Sequence, residues 1–257
     1  MTDKYIKEVI IPAKLAEIEK KENVRIIYCA ESGSRAWGFA SPDSDYDIRF
    51  IYVRSKEHYL RLEQTRDVIE WQLDYTLDIN GWDLKKALIL LHKSNPTIFE
   101  WNNSPIVYKT SIQWEKISKI INNYFQEKNI LYHYLNIARS NYKEYLTSES
   151  VRLKKYFYAL RPILACKWIL KNHSAPPMLF SELATACLDK KIAPAVDKLL
   201  QLKIKTPELG ESQRIDIISD YIKSSISEIE SILENYPSYE YKNCDELNNI
   251  FLDILFD

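Results

Sequence analysis

Apolar residues recur along this chain with two different periods. Near the N-terminus, Val24, Ile26, Ile27 and Tyr28 form a short β-favouring run that ends in a Gly-Ser turn, which predicts a buried strand over residues 24–30. A short helix is expected over 34–39 and a turn over Ser41-Pro42-Asp43-Ser44. Residues 45–53 then alternate as a second strand, and 68–79 predicts a third. Asp83 is placed to cap a helix that carries Leu84, Ala87, Leu88 and Leu91 on one face, with Asn95-Pro96 as its stop. Beyond about residue 110 the texture changes to Leu, Ile, Tyr and Lys at helical spacing. Helices are expected over 112–124, 129–146, 151–170, 181–202, 214–234 and 245–256. The class is therefore α+β, with a strand-bearing domain over 1–108 and an all-helical domain over 109–257.

Composition narrows the picture. The chain has 257 residues, enough to bury a sizeable core in one large or two modest domains. With 35 basic and 36 acidic residues it is nearly neutral, so any attraction to nucleic acid must be local rather than global. Cys29, Cys166, Cys187 and Cys244 lie far apart and form none of the short paired spacings that bind zinc. Such thiols fit a reducing cytoplasm. No basic-then-apolar leader opens the sequence, and the apolar stretch 163–170 is short and broken by Lys167, so no membrane partner is expected. The four histidines lack metal-ligand spacing, and the eighteen tyrosines read as helix-packing residues. Only four glycines are present, and Gly33 and Gly38 fall close together.

That placement draws attention to residues 31–49. On a strand, Asp45, Asp47 and Arg49 share one face while Tyr46, Ile48 and Phe50 share the other, so both carboxylates can meet one ligand. Two like charges on one face repel unless a cation or proton sits between them, and a Mg²⁺ carrying nucleotide phosphates satisfies both. Upstream, Gly33 permits a turn and close approach, and Ser34 offers a hydroxyl and an amide to a phosphate, although a serine cap needs no ligand. Arg35 can reach a phosphate or form a surface ion pair, and Ser44 lies in the turn just before the aspartates. In-line phosphoryl transfer wants a third carboxylate near the attacking hydroxyl. Among Asp67, Glu70, Asp74, Asp78 and Asp83, Asp78 is favoured, Asp74 is the reserve, and Asp83 is more economically a helix cap.

These residues carry a resemblance. The segment 31–49, together with Asp78-Ile79-Asn80-Gly81-Trp82-Asp83, Ser94-Asn95-Pro96 and Glu100-Trp101, resembles the predicted nucleotidyltransferases of the DNA polymerase β superfamily, YcgL/RlaP type, which are associated with RNA repair. The similarity continues through 133–138 and 154–168 and fades after about Leu183. It implies a mixed sheet with flanking helices, two Mg²⁺ or Mn²⁺ ions on Asp45, Asp47 and Asp78, and a nucleoside triphosphate donor such as ATP, held by Gly33, Ser34, Arg35 and Ser44. From Arg152 to Lys171 there are six basic residues and no acidic one, with Lys154, Tyr158 and Arg161 on one helical face. Spacing alone gives a solvated basic face, whereas the resemblance implies contact with the triphosphate. An RNA 3′ end, tRNA-like, is the acceptor it implies. Within the same chemistry, classified as EC 2.7.7, a protein or small-molecule hydroxyl is the alternative, and a non-catalytic, antitoxin-like binding module is the competing class.

Overall fold

Five strands form one mixed sheet in the order β3-β4-β2-β1-β5. They are β1 (Arg25–Glu31), β2 (Tyr46–Val53), β3 (Val68–Gln72), β4 (Leu77–Asp83) and β5 (Val107–Lys109). Of these neighbours only β2 and β4 run parallel. The computed structural model describes residues 2–72, 76–205, 211–237 and 242–256.

The expected third strand over 68–79 is instead an antiparallel pair, β3 and β4. The pairing lets Ile69, Leu77 and Ile79 bury together, while Asp78 falls on the opposite face of β4 and stays exposed. Asp74 lies outside the described residues. Gly81 sits opposite Phe50, and a Cβ there would lie 2.1 Å from the Phe50 ring, so glycine is what lets the parallel pair close.

The helices cover both faces. The chain begins with α1 (Asp3–Tyr5), which runs through a π-helical segment, Ile6–Ile10, into α2 (Ile11–Glu22). This N-terminal helix is absent from the reading of the sequence. It packs Ile11, Leu15 and Ile18 on the sheet face formed by Ile48, Phe50 and Tyr52. Single turns follow at α3 (Gly33–Ala36) and α4 (Lys56–Tyr59), then α5 (Leu84–His92) and α6 (Pro96–Asn102). Asp83 caps α5 as expected, accepting a hydrogen bond from Lys85 N–H at 2.8 Å.

The helical region comprises α7 (Ile112–Ile120), α8 (Glu127–Tyr145), α9 (Leu153–Asn172), α10 (Phe180–Cys187), α11 (Ala193–Lys205), α12 (Asp216–Glu234) and α13 (Asp245–Phe256). A short pair of strands, β6 (Ser150–Arg152) and β7 (Glu211–Gln213), precedes α9 and α12. The helix expected over 181–202 is two helices. The chain turns at Asp189–Ile192, where Ile192 N–H bonds Asp189 O, and Pro194 suits the first turn of α11 but not a helix interior. Helix α9, by contrast, runs on through Pro162. The domain boundary expected at 108/109 falls inside β5, and the larger core draws on both sides of it, from Ile27 and Ile51 on the sheet to Leu160, Ile163 and Leu199. No helix among the described residues is long and apolar enough to cross a membrane, and all four cysteines are free thiols.

Candidate active site

Gly33, Asp47 and Asp78, three of the residues marked by the sequence, lie together at one end of the sheet. Because β1 runs antiparallel to β2, and β4 parallel to it, the end of β1 and the beginnings of β2 and β4 coincide. Asp47 is the direct register partner of Asp78. The two carboxylates are tied by one guanidinium: Arg49 Nη2 donates to Asp47 Oδ1 at 2.9 Å and to Asp78 Oδ2 at 2.7 Å, while Nη1 donates to Asp78 O. A cation thus stands between two like charges brought together by strand register, Asp47 and Asp78, whereas the pair expected from strand alternation was Asp45 and Asp47.

Gly33 is pressed against this pair. Its φ of +57° is in the left-handed region, and a Cβ at that position would lie 2.0 Å from Asp47 Oδ2. Ser32 N–H donates to Asp47 O at 2.8 Å, which fixes the turn to the strand. Ser34 is buried in the first turn of α3. Asp45 lies one residue ahead of β2 and is exposed, on the wall of a cavity of about 900 Å³. Among the described residues no three His, Cys, Asp or Glu side chains are grouped to hold a metal ion. Hard carboxylate oxygens are nevertheless the donor type Mg²⁺ takes, and two of the three expected ligands are paired in register.

Arg35 holds the turn rather than reaching outward. Its guanidinium donates to Asp45 O at 3.0 Å and Ser44 O at 2.7 Å, pairs with Asp3 at 3.1 Å, and lies 3.7 Å from the Tyr46 ring centroid. Ser44 Oγ accepts from Ser41 N–H at 2.9 Å, so it too braces the turn. On α9, Tyr158 meets the edge of Trp37 at 5.5 Å, with Lys154 one turn earlier and half-buried. Arg161 departs from the expected basic surface. It is 3% exposed, pairs with Glu100 at 2.6 Å, and packs 4.7 Å from the Trp37 ring. A guanidinium this buried must be paired, and Glu100 is the partner, so it is not presented to a phosphate. Two of the three residues on the face expected to grip phosphate, Tyr158 and Arg161, join α9 to the end of α3 through Trp37.

Two site residues escaped the sequence reading. Arg49 was placed on the aspartate face but given no role. Glu31 is fully buried, accepts from Asp47 N–H at 2.6 Å, and receives the Tyr108 hydroxyl. Burial pushes its carboxyl up to about 7, against the lowering effect of both hydrogen bonds, and the adjacent Asp47 charge adds to the rise. An acid closing an apolar run was the available signal.

Comparison with known proteins fits this geometry. Residues 7–253 match the RNA repair pathway DNA polymerase beta family, RlaP. The chain belongs to this family. Membership places it among the polymerase-β-like nucleotidyltransferases, and with them the transferases. An uncharacterized protein, YcgL, of Bacillus subtilis (strain 168) is 43% identical over 242 residues, covering 93% of each chain. A crystal structure of a nucleotidyltransferase-like protein from Exiguobacterium sibiricum 255-15 aligns over 95% of this chain and 79% of that one. Its identity is 13% and its TM-score 0.31, too slight a likeness to bear on fold or function.

Proposed function

We propose that this protein transfers a nucleoside monophosphate from a nucleoside triphosphate to the 3′ hydroxyl of an RNA, with Mg²⁺ or Mn²⁺ bound by Asp45, Asp47 and Asp78. The observation that carries the reading is the register pairing of Asp47 with Asp78 beneath Gly33, where any Cβ would strike the Asp47 carboxylate. The family's association with RNA repair supports the choice of acceptor.

The chain's own residues have separate tasks in this reading. Gly33 and Ser34 receive the triphosphate, while Arg35 and the bond between Ser41 and Ser44 keep the turn before Asp45 in place. Asp78, at the more exposed edge, takes or orients the proton of the acceptor hydroxyl. The acceptor oxygen bonds to the α-phosphorus as the bond to the bridging oxygen breaks, and pyrophosphate leaves. A bound divalent ion supplies charge neutralisation for the phosphates. Without it, Arg49 keeps Asp47 and Asp78 together.

The net charge of −1 favours no polyanion, so a hydroxyl on a protein or small molecule is the second reading. One assay separates the two. The protein is incubated with each α-labelled nucleoside triphosphate, Mg²⁺ or Mn²⁺, and either total RNA or protein extract. Label in RNA is the expected result; label in protein, or in a small molecule of the extract, without label in RNA transfers the assignment to the second reading; and label in none of these overturns both readings.

A further inference from the structure

Asp47 turns its two carboxylate oxygens to different neighbours. Oδ2 faces Gly33, where a Cβ would lie 2.0 Å away, and Oδ1 accepts from Arg49 Nη2 at 2.9 Å. The same Nη2 donates to Asp78 Oδ2 at 2.7 Å. Hard cations bind carboxylate oxygens directly, at about 2.1 Å for Mg²⁺. An ion held by Asp47 and Asp78 together therefore needs the oxygens that Arg49 holds. We infer that Arg49 is a resident cation of this site that a divalent ion displaces, so that guanidinium and ion bind the two aspartates in turn and never together. The inference rests on the metal-binding role proposed above for Asp47 and Asp78 and is independent of which hydroxyl accepts the nucleotide.

Charge leads to the same exclusion. With Arg49 between them, the two carboxylates keep a single net negative charge, which attracts a divalent ion only weakly. With Arg49 withdrawn, two negative charges face the two positive charges of the ion. Both cations in place at once would crowd like charges against each other at the same pair of oxygens.

Arg49 is also held in a way that lets it leave. Arg35 and Arg161 each lie over an aromatic ring, that of Tyr46 at 3.7 Å and that of Trp37 at 4.7 Å, whereas among the described residues Arg49 lies over none. Its side chain keeps 18% exposure and its partner Asp78 is half-exposed. Besides the two carboxylates it donates, through Nη1, to Ile48 O at 3.2 Å and Asp78 O at 2.9 Å. A long side chain at the open end of a strand can swing into water by rotating about its own bonds, with β2 and β4 unmoved. In its bound position Arg49 keeps two like charges in register, and it weakens the hold of the pair on a divalent ion.

The test uses nucleotide-free protein with the metal alone as probe. Mn²⁺ affinity, read from the electron paramagnetic resonance signal of the free ion, should rise about five- to tenfold in Arg49→Met, because the ion then displaces no partly exposed ion pairs. Displacement itself is read on the wild type, with no variant needed, by phenylglyoxal, which modifies accessible guanidinium groups. The Arg49 peptide, followed by mass spectrometry, should be modified faster when Mg²⁺ is present, whereas an ion bound beside an unmoved Arg49 would slow the modification or leave it unchanged. Equal or weaker Mn²⁺ binding by Arg49→Met, or modification that Mg²⁺ does not accelerate, overturns the exchange while leaving the metal role of the aspartates standing. Absence of saturable Mn²⁺ binding by both proteins overturns that role and the exchange with it.

Discussion

Arg49 and Arg161 each bind a carboxylate with a short ion pair, yet they sit in opposite settings. Arg49 lies at the open end of the sheet between Asp47 and Asp78, the latter half-exposed. Arg161 lies in the seam between the sheet and α9, with its guanidinium buried against Glu100, Trp37 and Met178. The pair at the open end leaves its carboxylates near water and able to exchange partners. The pair in the seam is fixed because the Arg161 charge has no water to return to and Glu100 keeps only a small exposed edge. Burial thus separates a site from a joint where charge patterning cannot.

The comparison is broken most severely at the seam. Arg161→Met should leave Glu100, largely shielded from water, without its ion-pair partner and with the Tyr134 hydroxyl still donating to it, and cost about 3 kcal/mol in urea denaturation. Adding Glu100→Gln should recover part of it; a cost below about 1 kcal/mol would show the pair to be no joint. Next comes Glu31. A carboxyl raised from 4.5 to about 7 holds a proton in the folded state that the unfolded chain has already lost over that window. Its contribution to stability is therefore full below about pH 4.5, falls by about 3 kcal/mol as pH rises to about 7, and is level above. In metal-free protein, that slope should be absent from the Glu31→Gln stability profile.

Smaller effects belong to the open end. Gly33→Ala combines a left-handed backbone with a clash at Asp47, so a loss of about 1–3 kcal/mol is expected, together with a fall in transfer rate out of proportion to it. Arg49→Met should cost the least, about 1 kcal/mol or below by the same denaturation measurement, because its partners stay solvated. If Arg49→Met proves as damaging as Arg161→Met, the contrast between the two regions is lost.

Much of the open end was legible in the sequence because its signals are local. Alternation put Asp47 and Arg49 on one face, scarcity of glycine marked Gly33, and Asp83 announced the start of α5. Asp78, favoured among the five candidate acids, is the register partner of Asp47. What could not be read depends on long-range packing. Six basic residues without an acid look like a surface, but Arg161 turns inward because Glu100, 61 positions earlier, is brought to it by α6. The β3–β4 hairpin looked like one strand because both halves bury isoleucine with the same period. Lys203 gave no signal at all, since its partner Ser41 is 162 residues away.

The central claim is that the aspartates at the head of β2 and β4 carry out nucleotidyl transfer. It is tested most directly by comparing wild-type protein with Asp47→Asn for transfer of α-labelled nucleotide to RNA in the presence of Mg²⁺, with both shown to be folded by circular dichroism. Metal-dependent labelling by the wild type and a loss of about a thousandfold or more in the variant is the predicted result. Undiminished labelling by Asp47→Asn would contradict it.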